Sequence, residues 1–255
     1  MIRISALQMQ TAGTDTAANL ARIERAALEA SQAGATLLVT PEMGVTSYGG
    51  GRAILDLAEP ADGPLVARLG EIARSTGVAV VAGFAEKAGD AVYNSAVYTD
   101  GADTPSVYRK SHLYGDYERG LFTPEKPSTC LFSHGGMTLG MLICYDVEFP
   151  ENVRRLAQAG AEMILVPTAT PMGASGTFIA EKMIAVRAFE NQIFIVYANN
   201  CGRDADFVYA GQSVIAAPDG SVLASAGLSE EMLSADIDLA LYARSRSENT
   251  YLSDL

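Results

Sequence analysis

The sequence predicts an α/β fold built from two mixed β-sheets. Short apolar runs recur along the chain, and helical stripes separate several of them. Predicted hairpins interrupt this alternation in both halves, which indicates antiparallel strands within each sheet and suggests a pseudo-twofold sandwich. No linker rich in proline, glycine or serine divides the 255 residues. We therefore expect one domain that spans residues 1–255.

In the first part of the chain, polar residues follow a predicted buried strand. Residues 2–9 alternate like a strand, and an amphipathic helix separates them from a second strand at 37–39. That strand ends at Pro41, because proline cannot continue a central ladder. Glu42 should therefore lie just past a strand end, although a solvated loop carboxylate is the alternative. Residues 48–52 predict a flexible loop and lack the ending of a phosphate-binding loop.

Charged and aromatic side chains concentrate in residues 109–118, directly after a predicted strand at 106–108. This strand and residues 92–98 form a predicted antiparallel pair. Polar groups that crowd beside aromatic rings in a loop are typical of a functional site. Lys110 and Glu118 are the ionisable candidates, and an ordinary surface ion pair is the alternative.

Cys144 follows an apolar strand predicted over residues 139–143 and precedes a helix that begins at Pro150. Open α/β folds place reactive groups at such strand ends, where free N–H donors face a ligand. This position alone is compatible with a nucleophile and with a small buried hydrophobe. Further strands and one long helix capped by Ser175 are predicted after it, with the strands at 163–166, 194–197, 211–217, 221–224 and 233–237.

Composition excludes several classes of partner. A formal charge of −12 argues against nucleic acid and anionic membranes, which need basic patches. No apolar run approaches the roughly 20 residues that span a bilayer. The N-terminal segment lacks the apolar core and cleavage site of a signal peptide. The three cysteines have spacings that suit neither zinc nor a disulfide framework. We expect a cytoplasmic protein that binds no metal.

Three segments resemble the motifs of the nitrilase superfamily of carbon–nitrogen hydrolases. They are residues 38–42, 108–113 and 140–151. The resemblance implies that Glu42, Lys110 and Cys144 are the reactive residues, and Glu118 sits where the family carries a second active-site glutamate. It also implies a four-layer α-β-β-α sandwich that pairs with a second subunit as a homodimer or a higher homo-oligomer.

The resemblance also points to a branch of that superfamily. Cys144-Tyr145-Asp146 is similar to the amidase and ω-amidase branches, whereas true nitrilases usually carry a tryptophan after the cysteine. Other segments are similar to R-stereoselective amidases that act on amino-acid-type carboxamides. They are residues 186–192, 197–202, 211–213 and 251–254.

The expected reaction is hydrolysis of a small-molecule amide to a carboxylic acid and ammonia, without a cofactor. Glu42 takes the proton of Cys144, whose sulfur attacks the carbonyl carbon and later forms a thioester. Lys110 and the Tyr145 N–H stabilise the oxyanion, and Glu118 orients Lys110. Several residues are expected to line the substrate pocket, namely Tyr48, Tyr117, Tyr145, Thr168, Ala169 and Met172.

Other functions remain open at this level. Within the class they are an N-carbamoyl amino acid hydrolase of the β-ureidopropionase type, an ω-amidase and, least favoured, a nitrilase. The alternative outside the enzyme class is an inactive relative that binds a metabolite. His112 as the base of Cys144 is the rival catalytic pair. A dinucleotide-binding protein is disfavoured, because no Gly-x-Gly-x-x-Gly follows a predicted strand.

Overall fold

A computed structural model describes residues 1–254, which fold into two mixed six-stranded sheets. The first sheet has the order β12-β1-β2-β3-β4-β5. Its strands are β1 (Ile2–Gln8), β2 (Leu37–Val39), β3 (Ala79–Ala88), β4 (Ala91–Thr99), β5 (Ser106–Arg109) and β12 (Glu231–Ile237). The second sheet has the order β11-β10-β9-β8-β7-β6. Its strands are β6 (Leu131–His134), β7 (Met137–Met141), β8 (Met163–Thr168), β9 (Phe194–Asn199), β10 (Val214–Ala216) and β11 (Val222–Ser225).

The two sheets share one pairing pattern. In the first, β1 and β3 run parallel to β2 on either side of it, and the outer pairs are antiparallel. In the second, β7 and β9 flank β8 in the same way. The carboxyl ends of β2 and β8 thus occupy equivalent places at the centre of each sheet. The predicted pair of mixed sheets is confirmed.

Helices connect the parallel strands and cover the sheets. They are α1 (Thr16–Gln32), α2 (Ala53–Leu57), α3 (Pro64–Thr76), α4 (Gly115–Arg119), α5 (Pro150–Gln158), α6 (Ala174–Phe178), α7 (Ile184–Asn191) and α8 (Ala243–Glu248). One core packs α1 and α3 against the first sheet, and a larger core joins the inner faces of both sheets to α5 and α7. The layers therefore run helix, sheet, sheet, helix. No helix within residues 1–254 has the length and apolar character needed to cross a bilayer.

Local structure differs from the sequence prediction at several positions near the strand ends. β7 ends at Met141, so Cys144 begins a 3₁₀ turn (Cys144–Glu148) instead of directly following the strand. Residues 115–119 are helical, where a loop was expected. The helix predicted after a cap at Ser175 begins two residues earlier than expected, at Ala174 with Gly173 as its N-cap, and is followed by a π-helical turn over 179–183.

The loop at residues 48–52 is held in place by hydrogen bonds. The Gly49 N–H donates to Asp204 Oδ2 at 2.7 Å, and the Gly51 N–H donates to the Tyr117 hydroxyl at 3.0 Å. Tyr117 in turn donates to the Tyr48 carbonyl at 2.7 Å. Glycine-rich composition suggested mobility, but backbone donors in this loop find acceptors on two other segments.

Candidate active site

Glu42 lies in a loop after β2 that packs tightly against β3. A Cβ atom on Gly83 would lie 2.3 Å from the Met43 nitrogen, so glycine is needed for this approach. The Glu42 N–H donates to the Thr168 carbonyl at 3.3 Å, and Asn200 Nδ2 donates to the Glu42 carbonyl at 3.0 Å. These bonds join the central strand ends of the two sheets and fix the backbone of Glu42 between them.

A buried charge cluster surrounds Lys110, which follows β5. Its Nζ donates to Glu42 Oε1 and to Glu118 Oε1, each at 2.7 Å, and all three side chains are inaccessible to solvent. The Tyr48 hydroxyl donates to Glu118 Oε1 at 2.7 Å, and Asn94 Nδ2 donates to Glu42 Oε1 at 2.7 Å. Buried charges need such partners, since water no longer solvates them.

The electrostatics of this cluster are unbalanced, because two glutamates share one ammonium. Burial raises the pKa of Glu42, and the attraction of Lys110 only partly opposes this. Burial alone lowers the pKa of Lys110, but the two carboxylates outweigh it and hold that pKa well above 10.5. Within residues 1–254, the buried Glu42 Oε2 atom has no hydrogen-bond partner. The carboxyl group thus keeps one acceptor free.

Cys144 occupies a strained backbone position beside this cluster. Its φ of 44° lies in the left-handed region, which non-glycine residues adopt rarely and mostly at functional sites. The sulfur lies 3.8 Å from the Thr170 hydroxyl, which is 2.6 Å from the Tyr197 hydroxyl. Burial and the Glu42 carboxylate raise the pKa of the Cys144 thiol well above 9.0. The resting sulfur is therefore a neutral thiol at neutral pH.

Asp146 connects the lysine-bearing loop to the cysteine-bearing turn. Its carboxylate accepts from the Tyr108 hydroxyl at 2.9 Å, the Ser111 hydroxyl at 2.8 Å and the His112 N–H at 2.9 Å. The sequence placed Asp146 inside a motif but assigned it no role, and it missed Asn94 altogether. The only available signal was an aspartate embedded in an apolar run, which has to find partners when buried.

His112 bonds to Asp146 and not to the cysteine. Its Nδ1 atom lies 2.9 Å from Asp146 Oδ1, and its ring stacks on Phe149 with centroids 3.9 Å apart. Among the described residues, no hydrogen bond joins the His112 ring to the Cys144 thiol. The geometry does not support the rival histidine–cysteine pair.

A cavity of about 450 Å³ opens onto Cys144. Four of the residues expected in the pocket line it, namely Tyr48, Tyr145, Ala169 and Met172. Thr168 and Tyr117 lie outside the lining. Thr168 is buried in β8, where its hydroxyl donates to the Val166 carbonyl at 3.0 Å. Tyr117 supports the pocket from behind, through its bond to the Tyr48 carbonyl.

The described part of the chain contains no group of three or more histidine, cysteine, aspartate or glutamate side chains placed to hold a metal ion. The structure brings Glu42, Lys110 and Glu118 into direct contact, and Cys144 forms the adjoining cavity wall.

Comparison with known proteins gives consistent matches over the whole length. The profile of the carbon–nitrogen hydrolase family matches residues 3–247. The "hydrolase in pqqF 5′region" of Pseudomonas protegens is 44% identical over 99% of this chain and 88% of its own. An (R)-stereoselective amidase of a Pseudomonas species is 38% identical over 99% of this chain and 91% of its own.

Solved structures of one amidase, from Nesterenkonia sp. AN1, superpose closely. A cysteine-to-alanine variant in complex with butyramide has a TM-score of 0.89 at 32% identity, and covers 100% of this chain and 94% of its own. Another variant, with a TM-score of 0.87 at 32% identity over 100% of this chain and 97% of its own, carries the acetamide moiety of fluoroacetamide on its active-site cysteine.

The chain belongs to the carbon–nitrogen hydrolase family. The predicted resemblance, fold and enzyme class are confirmed by these matches. The protein is a cysteine-dependent hydrolase of carbon–nitrogen bonds.

Proposed function

We propose that this hydrolase converts small carboxamides to carboxylic acids and ammonia, with Cys144 as the nucleophile and Glu42 as the general base. The observation that carries the proposal is the buried contact of Lys110 with Glu42 and Glu118 beside a cavity that Cys144 lines. An amide is a poor electrophile, so its hydrolysis needs the activated nucleophile, oxyanion donor and proton relay that this set can supply.

Acylation begins with transfer of the thiol proton to Glu42 Oε2, the acceptor that no described residue engages. The Cys144 sulfur then bonds to the carbonyl carbon, and the π electrons move to oxygen. Lys110 and the Tyr145 N–H stabilise that oxyanion. Removing one such donor typically costs about 10²–10³ in rate.

The intermediate collapses when Glu42 returns its proton to the amide nitrogen. The carbon–nitrogen bond breaks, ammonia leaves, and an acyl thioester remains on Cys144. Glu42 then takes a proton from water, and the water oxygen bonds to the thioester carbon. The carbon–sulfur bond breaks, Glu42 returns its proton to the Cys144 sulfur, and the carboxylic acid leaves. One carboxylate serves both half-reactions because each returns it to the ionised state.

Glu118 is a positioning residue in this scheme. Its Oε1 atom accepts from Lys110 and Tyr48, and its Oε2 atom accepts from the Tyr114 N–H at 2.8 Å. Both Glu118 oxygens already accept hydrogen bonds, whereas Glu42 Oε2 accepts none from residues 1–254, so we assign the thiol proton to Glu42. It holds the ammonium of Lys110 toward the carbonyl oxygen of the substrate.

The size of the substrate follows from the cavity. A volume of about 450 Å³ lies near the lower end of ligand pockets, which favours a compact acyl group. Tyr145, Ala169 and Met172 supply partly apolar walls. The butyramide complex of the Nesterenkonia variant supports a short aliphatic amide here too.

Ammonia release from a panel of short amides tests the proposal. We expect turnover by the natural protein, a mass increase on Cys144 equal to the acyl group, and loss of both in Cys144→Ala. Cys130→Ala is the matched control, because Cys130 lies outside the site and should leave turnover intact. Ammonia release that persists in Cys144→Ala would refute the mechanism. Nitriles and N-carbamoyl compounds in the same panel test the rival reactions.

We also propose a second copy of this chain as the protein partner, as the family resemblance implies. Apolar side chains on the segment from α6 to α7 support this, since Phe178 and Val186 are 57% and 51% exposed. Light scattering should give a molar mass of twice the chain mass or a higher multiple. Val186→Asp should lower that molar mass, because a charge disfavours burial of this surface. A monomer at micromolar concentration would contradict it.

A further inference from the structure

Glu148 is an ionisable group of the cavity that the proposed mechanism does not use. It ends the 3₁₀ turn that begins at the nucleophile, and its side chain lines the same 450 Å³ cavity. It is partly buried and forms part of the wall of the space that an acyl group would occupy.

The arginine beside Glu148 does not neutralise it by a direct bond. Arg187 donates from Nε to the Val147 carbonyl at 3.0 Å and from Nη2 to the Glu148 carbonyl at 2.8 Å. Its Nη1 pairs with Glu190 at 2.9 Å. Arg187 thus fixes the backbone of Glu148, and no group within residues 1–254 donates a hydrogen bond to the Glu148 carboxylate.

The charges around the cavity have a negative excess. Glu42 and Glu118 share the ammonium of Lys110, and the other nearby cation, Arg187, pairs with Glu190. Glu148 therefore adds a carboxylate that no cation among the described residues engages directly. Burial raises the pKa of Glu148, and the positive charges of Lys110 and Arg187 oppose that rise. In a partly desolvated cavity, such an excess attracts a cationic ligand and repels an anionic one more strongly than in water.

We propose that Glu148 selects carboxamides whose acyl group carries an ammonium and disfavours those that carry a carboxylate. The inference rests on the proposed amidase function and adds the charge class of the substrate. An ammonium offers three donors and no acceptor, which complements a carboxylate that lacks donors of its own. The Tyr145 ring in the same wall is compatible with a nearby cation.

This assignment separates the rival reactions left open by the sequence. N-carbamoyl amino acids and ω-amidase substrates bear a carboxylate, which the pocket would have to pair with a cation. The cation of the cluster is already shared by Glu42 and Glu118, and Glu148 adds a like charge. An amine-bearing or neutral amide meets no such repulsion.

Three propanamides that differ only in the group on carbon 3 test the inference. They are β-alaninamide, butyramide and succinamate, which carry an ammonium, a methyl and a carboxylate there at pH 7. In the natural protein, kcat/KM should fall in that order. In Glu148→Gln, the ratio of β-alaninamide to butyramide should fall about 10–100-fold, the range of a charge-assisted hydrogen bond. The ratio of succinamate to butyramide should rise. Glu151→Gln, an exposed glutamate three residues along, should leave both ratios unchanged.

The inference would be overturned if both kcat/KM ratios of Glu148→Gln lay within twofold of those of the natural protein. That includes the case where all three amides are hydrolysed more slowly by the same factor. Calorimetry on Cys144→Ala protein gives an independent readout, because binding needs no thioester. β-Alaninamide should bind more tightly than butyramide, and a second change, Glu148→Gln, should remove the difference. If the protein binds amides with the expected charge preference but releases ammonia from none of them, the proposed function is contradicted and the charge preference of the cavity is retained.

Discussion

Two buried carboxylates flank the segment from Tyr108 to His112, and their surroundings differ. Asp146 engages both oxygens with hydroxyl and backbone donors, so its bonding capacity is filled. Glu42 engages one oxygen with Lys110 and Asn94, and leaves the other without a partner among residues 1–254. A saturated carboxylate can only hold its neighbours in place. A half-engaged one can also accept a proton.

The partners differ in charge as well. The donors to Asp146 from Tyr108, Ser111 and the backbone are neutral, whereas Glu42 shares the ammonium of Lys110 with Glu118. Neutral donors stabilise one geometry, while a shared cation balances a charge that moves during the reaction. The difference predicts a structural loss at one carboxylate and a catalytic loss at the other.

The largest effect is expected for Glu42→Gln. The amide oxygen can still accept from Lys110 and Asn94, but the side chain can no longer take the thiol proton. We expect kcat/KM for a short amide to fall about 10³-fold or more, within the range of lost acid–base catalysis. The melting temperature should change little. If Glu42→Gln lowered the melting temperature and left kcat/KM unchanged, Glu42 would have a structural role like that of Asp146.

Asp146→Asn should act mainly on stability. The new NH₂ group faces donors, so at least one of Tyr108, Ser111 and the His112 N–H loses its acceptor in a buried site. We expect the free energy of unfolding to fall by about 2–4 kcal/mol, measured by urea denaturation. Asp116→Asn, at an exposed position, is the control and should change it by less than about 0.5 kcal/mol.

Tyr48→Phe tests the support behind the cluster. It removes the 2.7 Å hydrogen bond to Glu118 and leaves Lys110 with a less constrained partner. We expect kcat/KM to fall about 10-fold, close to the value of one charge-assisted hydrogen bond. Tyr251→Phe, on the surface, should have no effect. An unchanged rate in Tyr48→Phe would show that Glu118 holds Lys110 without the hydroxyl.

The smallest effect is a shift in pH dependence. Burial raises the pKa of Glu42, so its ionised form is lost on acidification above pH 4.5, and the acid limb of kcat/KM should lie above that value. The Asn94 hydrogen bond lowers this pKa, so Asn94→Ala should move the limb upward by about one pH unit. Asn19→Ala removes a buried asparagine whose side chain makes no hydrogen bond to the Glu42 carboxylate, and it should not move the limb.

Much of the fold follows from local patterns. Sequence patterns predicted most of the parallel strands, the hairpins β4–β5 and β10–β11 and the helix that begins at Pro150, because alternation, helical stripes and turn residues act over a few positions. They did not predict β6, so the hairpin that it forms with β7 was missed. Residues 115–119 were missed. Their helix has only five residues, too few to show a helical stripe, and the Glu118 carboxylate accepts the N–H of Tyr114 where it begins.

The four ionisable candidates were found through motifs, whereas the residues that support them were not. Asn94 lies in the middle of β4, and nothing in its neighbours along the chain marks it as a partner of Glu42. Thr168 was expected in the pocket, but its side chain is buried, and its hydroxyl donates to the Val166 carbonyl of the same strand. Contacts between residues far apart in sequence produce no periodic pattern along the chain, so sequence patterns do not predict them.

By itself, the sequence determined the kinds of reactive groups and their places just past strand ends, because residue chemistry and strand patterning are local properties. Only the tertiary structure decided which oxygen of Glu42 stays free, which carboxylate is saturated, and that Glu148 faces the cavity. Those outcomes depend on two sheets that meet at their central strands, and on burial, which makes every unpaired polar atom count.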